Sequence, residues 1–131
     1  MALIVLDASV LIGLLDPTDP LRGAAADALR RHAADDLRIP TSAYAECLVG
    51  PAGRRRLGEA KAAIGSLMAE LVALTEDIAE TAAELRAHHR ALRLPDAIVI
   101  ATGDVLGADA VLTGDARWRR ISRRVRVIRP A

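Results

Sequence analysis

Short apolar runs alternate with helix-like stretches along the whole chain, and this alternation sets the expected architecture. Residues 3–6 form a continuous apolar tetrapeptide, the pattern of a strand covered on both faces within a parallel sheet. Similar short runs stand at residues 37–39, 70–74, 110–113 and 125–128, so five strands are predicted. Between them the periodicity changes. Residues 9–15 begin a helix, and residues 21–34 continue in helical composition with Ala25, Leu29 and Ala33 spaced by four. Thr41 or Ser42 is placed to cap a helix running through Leu48, with Gly50 and Pro51 as its stop. A helix over residues 54–68 is weakened by Gly58 and Gly65. Thr75 is predicted to cap a helix over residues 76–90, with Ile78, Ala82, Leu85 and His89 along one side. Pro95 opens a last helix to about Leu106 that is apolar almost all round, which marks it as buried. Strands alternating with helices give an α/β fold, a central mostly parallel sheet with helices on both faces. Residues 1–131 read as one domain, without repeat or linker.

Composition narrows this further. With 131 residues, 52% hydrophobic and 27% charged, the chain can build a core without metal or disulfide staples, and disorder is excluded. The single cysteine, Cys47, cannot form an intramolecular disulfide, which points to a reducing compartment such as the cytoplasm. No window reaches the ~20 apolar residues of a membrane span, and the opening run, lacking a basic flank, reads as a strand rather than a signal peptide. The net charge of +1 conceals an asymmetry. Residues 1–115 carry 11 basic groups against all 17 acids, a net −6, whereas residues 116–131 carry seven arginines and no acid. Such a tail can hold a polyanion beside an acidic body, although 17 arginines against one lysine also reflect a GC-rich coding bias.

Candidate chemistry lies where the strands end. In a parallel sheet, ligands bind beyond the carboxyl ends of the strands, near the point where strand order reverses. Asp7 directly follows the first strand and Asp115 follows the fourth by one glycine, so both should emerge on the same edge. Asp96 in the first turn of the buried helix and Glu46 in the helix after the second strand can join them as a cluster of four carboxylates. Each acid also has a structural reading: a cap for Asp7, a helix-dipole partner for Asp96, a turn residue for Asp115, a solvated helix acid for Glu46. Taken together they favour a site, because Asp7 and Asp96 adjoin very apolar segments where an unpaired charge is costly and a hard cation would meet it.

These residues carry a resemblance. Asp7-Ala8-Ser9 after an apolar strand, Glu46 in Ser-Ala-Tyr-Ala-Glu, Leu94-Pro95-Asp96-Ala97-Ile98 and Thr113-Gly114-Asp115-Ala116-Arg117-Trp118 resemble, in order and spacing, the PIN-domain ribonucleases. More narrowly, the chain is similar to VapC-type toxins of type II toxin-antitoxin pairs. The resemblance implies a PIN-like domain in which Asp7, Glu46, Asp96 and Asp115 are catalytic. Asp7, Asp96 and Asp115 would hold magnesium or manganese, and Ser9 and Thr113 would be accessory hydroxyls. It implies cleavage of RNA to 5′-phosphate and 3′-hydroxyl products, a homodimer, a VapB-type antitoxin as partner and a bacterial cytoplasmic location. Arg117, Arg119 and Arg120, nearest Asp115, are candidates for RNA phosphates. The chain departs from the family pattern at Gly103, where alanine is common, and at Trp118, where phenylalanine is frequent.

The same residues bear on other readings. An aspartate-nucleophile phosphotransferase would carry a second aspartate where Ser9 stands, and a dinucleotide enzyme would need a glycine-rich loop. A non-catalytic PIN-like module that binds RNA or protein is the rival from another class, and the presence of all four acids argues against it. Trp118 is expected to pack the core, Cys47 to be a small buried residue, and His88 and His89 to sit on the surface near a helix end.

Overall fold

The first apolar run forms strand β1, Leu3–Leu6, and from it the chain winds outward in one direction before reversing. The computed structural model describes residues 1–130. After β1 come helices α1 (Ala8–Leu15) and α2 (Arg22–Arg31), then strand β2 (Asp36–Pro40). Helices α3 (Thr41–Gly53) and α4 (Leu57–Gly65) lead to the short edge strand β3 (Glu70–Val72). Helices α5 (Glu76–His88) and α6 (Leu94–Leu106) then carry the chain back across to β4 (Ala110–Thr113), which pairs with the other side of β1. A 3₁₀ turn at Ala116–Arg120 precedes the last strand, β5 (Val125–Val127). The sheet order is β3-β2-β1-β4-β5 and every pairing is parallel, so the sheet is entirely rather than mostly parallel, and six helices flank it. Strand order reverses between β1 and β4, which puts the switch point between the strands that end at Leu6, just before Asp7, and at Thr113.

Burial follows the apolar runs. Ile4, Val5, Leu6, Ile39, Val111 and Leu112 are covered on both sides, as a central parallel strand requires. Helix α6 packs against this centre, with Ala97, Val99, Ile100, Ala101, Thr102 and Gly103 all buried, which accounts for its almost uniformly apolar sequence. It ends at Gly107, whose φ of +64° is the left-handed conformation that lets Ala108 N–H donate back to the Gly103 carbonyl at 2.9 Å. Thr75 caps α5 as expected, accepting from Ile78 N–H at 3.3 Å. Trp118 and Cys47 are each 2% exposed and pack in the core.

Several boundaries depart from the sequence pattern. Helix α3 does not stop at Gly50 and Pro51 but runs to Gly53 with Pro51 inside it. The hydrogen bond that proline forgoes falls in the last turn, and the ring is buried, which offsets the loss. Neither Thr41 nor Ser42 caps α3; the cap position is Pro40, and the buried Ser42 hydroxyl has no partner. Helix α4 begins at Leu57 rather than residue 54, because Arg55 takes a positive φ of 57° at the preceding turn. The 3₁₀ turn after Asp115 has no counterpart in the apolar periodicity. Gly103, where the chain departs from the family pattern, allows close approach, since a Cβ there would lie 2.5 Å from Val111 Cγ2.

Gly103→Ala should therefore destabilise the fold. Overpacking against a stiff β-branched side chain costs about 1–3 kcal/mol, against roughly 1 kcal/mol gained from helix propensity. A net loss of up to about 2 kcal/mol is expected in urea unfolding, whereas a more stable variant would show that helix propensity governs this position.

Candidate active site

The carboxyl edge of β1 and β4 is tied together by one carboxylate. Asp7 occupies the cap position of α1, yet its side chain makes no capping bond. Instead Ser9 Oγ and Thr113 Oγ1 both donate to Asp7 Oδ2, at 2.7 and 2.8 Å. Each hydroxyl also accepts a backbone N–H from the turn after β4, Ser9 from Gly114 at 2.9 Å and Thr113 from Asp115 at 3.1 Å. Two small side chains thus fasten the Asp115 turn to Asp7. Gly114 suits this place because any Cβ there would collide with Leu21. Asp7 is 7% exposed, and burial pushes its carboxyl above the ordinary range while the two hydroxyls pull it back.

The other three acids reach the same place from different elements. Glu46 is half-buried in the second turn of α3; burial first, then the charges of Asp7 and Asp96, raise its carboxyl. Asp96 follows Pro95 in the first turn of α6 and is 8% exposed. Its two oxygens meet Arg93 Nε and Nη2, each at 3.2 Å. Asp115 caps the 3₁₀ turn by accepting from Arg117 N–H at 3.0 Å, and the Arg117 guanidinium grips the same carboxylate at 3.0 and 2.7 Å. That pairing holds the Asp115 carboxyl below its usual range.

All four carboxylates, with Ser9 and Arg93, line a single cleft of about 220 Å³ over Ile12 and Trp118. The four acids and two hydroxyls named from the sequence are therefore brought together. A neighbouring cleft of about 240 Å³ shares Asp96 and Asp115 as a wall and is bordered by Arg117 and Arg120. Of the three arginine candidates, Arg117 is engaged with Asp115, Arg120 borders this second cleft, and Arg119 is exposed and lines neither. Arg93 is the site residue that the sequence reading misses: the Leu94-Pro95-Asp96 segment stands out for its apolar run, although an arginine three residues ahead of a first-turn aspartate is a recognisable ion-pair spacing. Among the described residues, no three acidic, histidine or cysteine side chains stand close enough to form a ready-made metal site. The donor set itself suits a hard divalent cation, being all oxygen, partly desolvated and net negative.

Residues 4–124 match the PIN domain family. This chain belongs to that family. Among solved structures, the fold is similar to a toxin-antitoxin complex from Klebsiella pneumoniae at 24% identity and a TM-score of 0.79, covering 95% of this chain and 96% of that one. It is also similar to FitAcB from Neisseria gonorrhoeae, at 19% identity and a TM-score of 0.75 over 97% of both chains. A third is VapC20 of Mycobacterium tuberculosis, described as a sarcin-ricin loop cleaving toxin, at 20% identity and a TM-score of 0.70 over 97% of this chain and 99% of that one. No curated protein matches at the level of sequence. Among the described residues no helix is long and apolar enough to cross a membrane.

Burial of Asp7 sets a pH dependence. A carboxyl whose folded pKa lies above its ordinary 3.8 binds more protons in the native than in the unfolded state, so its contribution to stability is lost as pH rises from about 3.8 through the folded value. In EDTA, Asp7→Asn should remove that decline and be at least as stable as the parent at neutral pH. Urea unfolding across this range checks it, and a variant that is weaker at neutral pH with the parent's slope would refute it.

Proposed function

We propose that this chain is a magnesium- or manganese-dependent endoribonuclease and the toxin of a toxin-antitoxin pair. The observation that carries the reading is the convergence of Asp7, Glu46, Asp96 and Asp115 on one cleft at the switch point of a PIN domain. Asp7 and Asp96 are buried, and burying a carboxylate is costly unless a cation or strong donors meet it. Asp7, Asp96 and Asp115 would hold the metal, which supplies a more acidic bound water and charge neutralisation at a phosphate. Ser9 and Thr113 fix which way the Asp7 carboxylate points, so that only one of its oxygens is bound by side-chain donors. Glu46, with its carboxyl raised above the ordinary range by burial and the neighbouring charges, is suited to take a proton from an attacking water.

The acidic cleft repels RNA unless cationic groups flank it. Arg119 and Arg120, both exposed in the 3₁₀ turn after Asp115, are the candidates for holding RNA phosphates, Arg120 at the border of the neighbouring cleft. The assignment of a VapB-type antitoxin as partner draws support from the solved structures with this fold, among them VapBC2 of Rickettsia felis bound to a promoter DNA fragment, and a second copy of the chain is the partner that the family resemblance implies. The bacterial cytoplasm is the matching location for such a pair and for a chain with one free cysteine.

Purified protein should cut RNA with Mg²⁺ or Mn²⁺ and stop in EDTA. Asp7→Asn and Asp96→Asn should each lower the rate by about a hundredfold or more, since even residues that merely orient a metal ligand cost about ten- to a hundredfold. Cleavage that persists in EDTA would remove the metal mechanism, and metal binding without any cleavage would favour a non-catalytic RNA- or protein-binding module. Replacing Arg119 and Arg120 together by Ala should reduce the slope of log affinity for RNA against log salt by about two, one for each phosphate no longer held, which filter binding at several salt concentrations measures. An unchanged slope would assign the basic tail to coding bias.

A further inference from the structure

Among the described residues, Arg93 is the cation lining the acid cleft, the proposed chemistry leaves it without a task, and its environment is lopsided. Its side chain is 69% exposed, whereas that of Asp96, which it grips, is 11% exposed. Both bonds are 3.2 Å, long for a charge-assisted pair, which is ordinarily about 2.7–2.9 Å. The exposed Arg93 guanidinium lines the same cleft as Asp7, Glu46 and Asp115. Arg117 is differently held, since its backbone N–H and its guanidinium both bind Asp115 within one tight turn.

We propose that Arg93 is an exchangeable internal counter-ion of the cleft, displaced from Asp96 by a divalent cation and then free to grip a phosphate of bound RNA. This rests on the reading of the cleft as a metal-dependent RNA site. Both Asp96 oxygens are engaged by Arg93, so a divalent cation on either would stand beside a like charge. Exchange is favoured because the exposed arginine regains water while the buried carboxylate gains a stronger partner. The backbone of Arg93 stays anchored at the cap position of α6, which keeps the released guanidinium at the cleft mouth. Its planar fork suits two phosphate oxygens. Arg93 is thus a positioning residue that lowers the cleft's affinity for metal when RNA is absent and adds affinity for RNA once metal is bound.

The test uses the full chain with Arg93→Ala and Arg93→Lys, both checked by thermal melting. Isothermal calorimetry with Mn²⁺ should show Arg93→Ala binding about 1.5- to fivefold more tightly than the parent, the range expected from losing one partner of an exposed ion pair, with Arg93→Lys between them. Equal or weaker Mn²⁺ binding by Arg93→Ala, with the parent binding, overturns the counter-ion role and leaves the nuclease reading standing. No Mn²⁺ binding by the parent overturns both. In a second arm, fluorescence anisotropy follows a labelled single-stranded oligoribonucleotide in Ca²⁺ and in EDTA. Arg93→Ala should lower the salt slope by about one in Ca²⁺ and by clearly less in EDTA, where Arg93 remains on Asp96. The same reduction in both solutions would make Arg93 a fixed phosphate ligand, and no reduction in either would leave it an ion pair without a role in RNA binding; each overturns the exchange.

Discussion

The Asp7 carboxylate, drawn into the protein at the end of the central strand, is the constraint around which the site is organised. Its Oδ2 accepts hydrogen bonds from the Ser9 and Thr113 hydroxyls, and each hydroxyl in turn accepts a backbone N–H from the turn that carries Asp115. A buried charge is tolerated only when donors or a cation satisfy it. Here the need is met by elements more than a hundred residues apart in sequence, so the charge that is costly to bury also fixes the register of the loop beside it. Loss of either hydroxyl would slacken the Asp115 turn as well as the carboxylate.

The remaining acids are managed by a second device, local arginine pairing. Asp96 and Asp115 are each gripped by an arginine two or three residues away, while Asp7 and Glu46 have no such partner and their carboxyls are raised. The cleft therefore divides into two paired and two strained carboxylates. The strained pair depends on desolvation and mutual repulsion, and the paired ones on side chains that reach back from the surface. An added cation would find strong demand at Asp7 and a competitor at Asp96.

Close packing behind the cleft keeps these groups in place. Helix α6 lies so near β4 that residue 103 has no room for a methyl group, and the left-handed turn at Gly107 sends the chain directly into β4. The helix that presents Asp96 and the strand that presents Thr113 thus form one rigid unit. The oxygen donors are delivered by the core, and only the arginines are supplied from the surface.

Much of this is legible in the sequence. The five apolar runs, the buried character of residues 95–106, the Thr75 cap, and the placing of Asp7 and Asp115 on one edge all follow from periodicity and the geometry of parallel strands, which are local properties. Asp96 is visible as a first-turn acid and Glu46 as an acid of the helix after the second strand, whereas the Ser9 and Thr113 hydroxyls are singled out by the family resemblance. What tertiary structure alone decided depends on distant partners. Pro51 stays helical because its ring is buried, Ser42 is left without a partner rather than serving as a cap, and Gly103 is fixed by Val111 across the helix–sheet gap. The pairings of Arg93 and Arg117 are local in sequence, but the role each arginine takes is set by the cleft. A basic residue near an acid reads equally well as solvated surface or as counter-ion, and only the folding of four carboxylates into one cleft determines which it becomes.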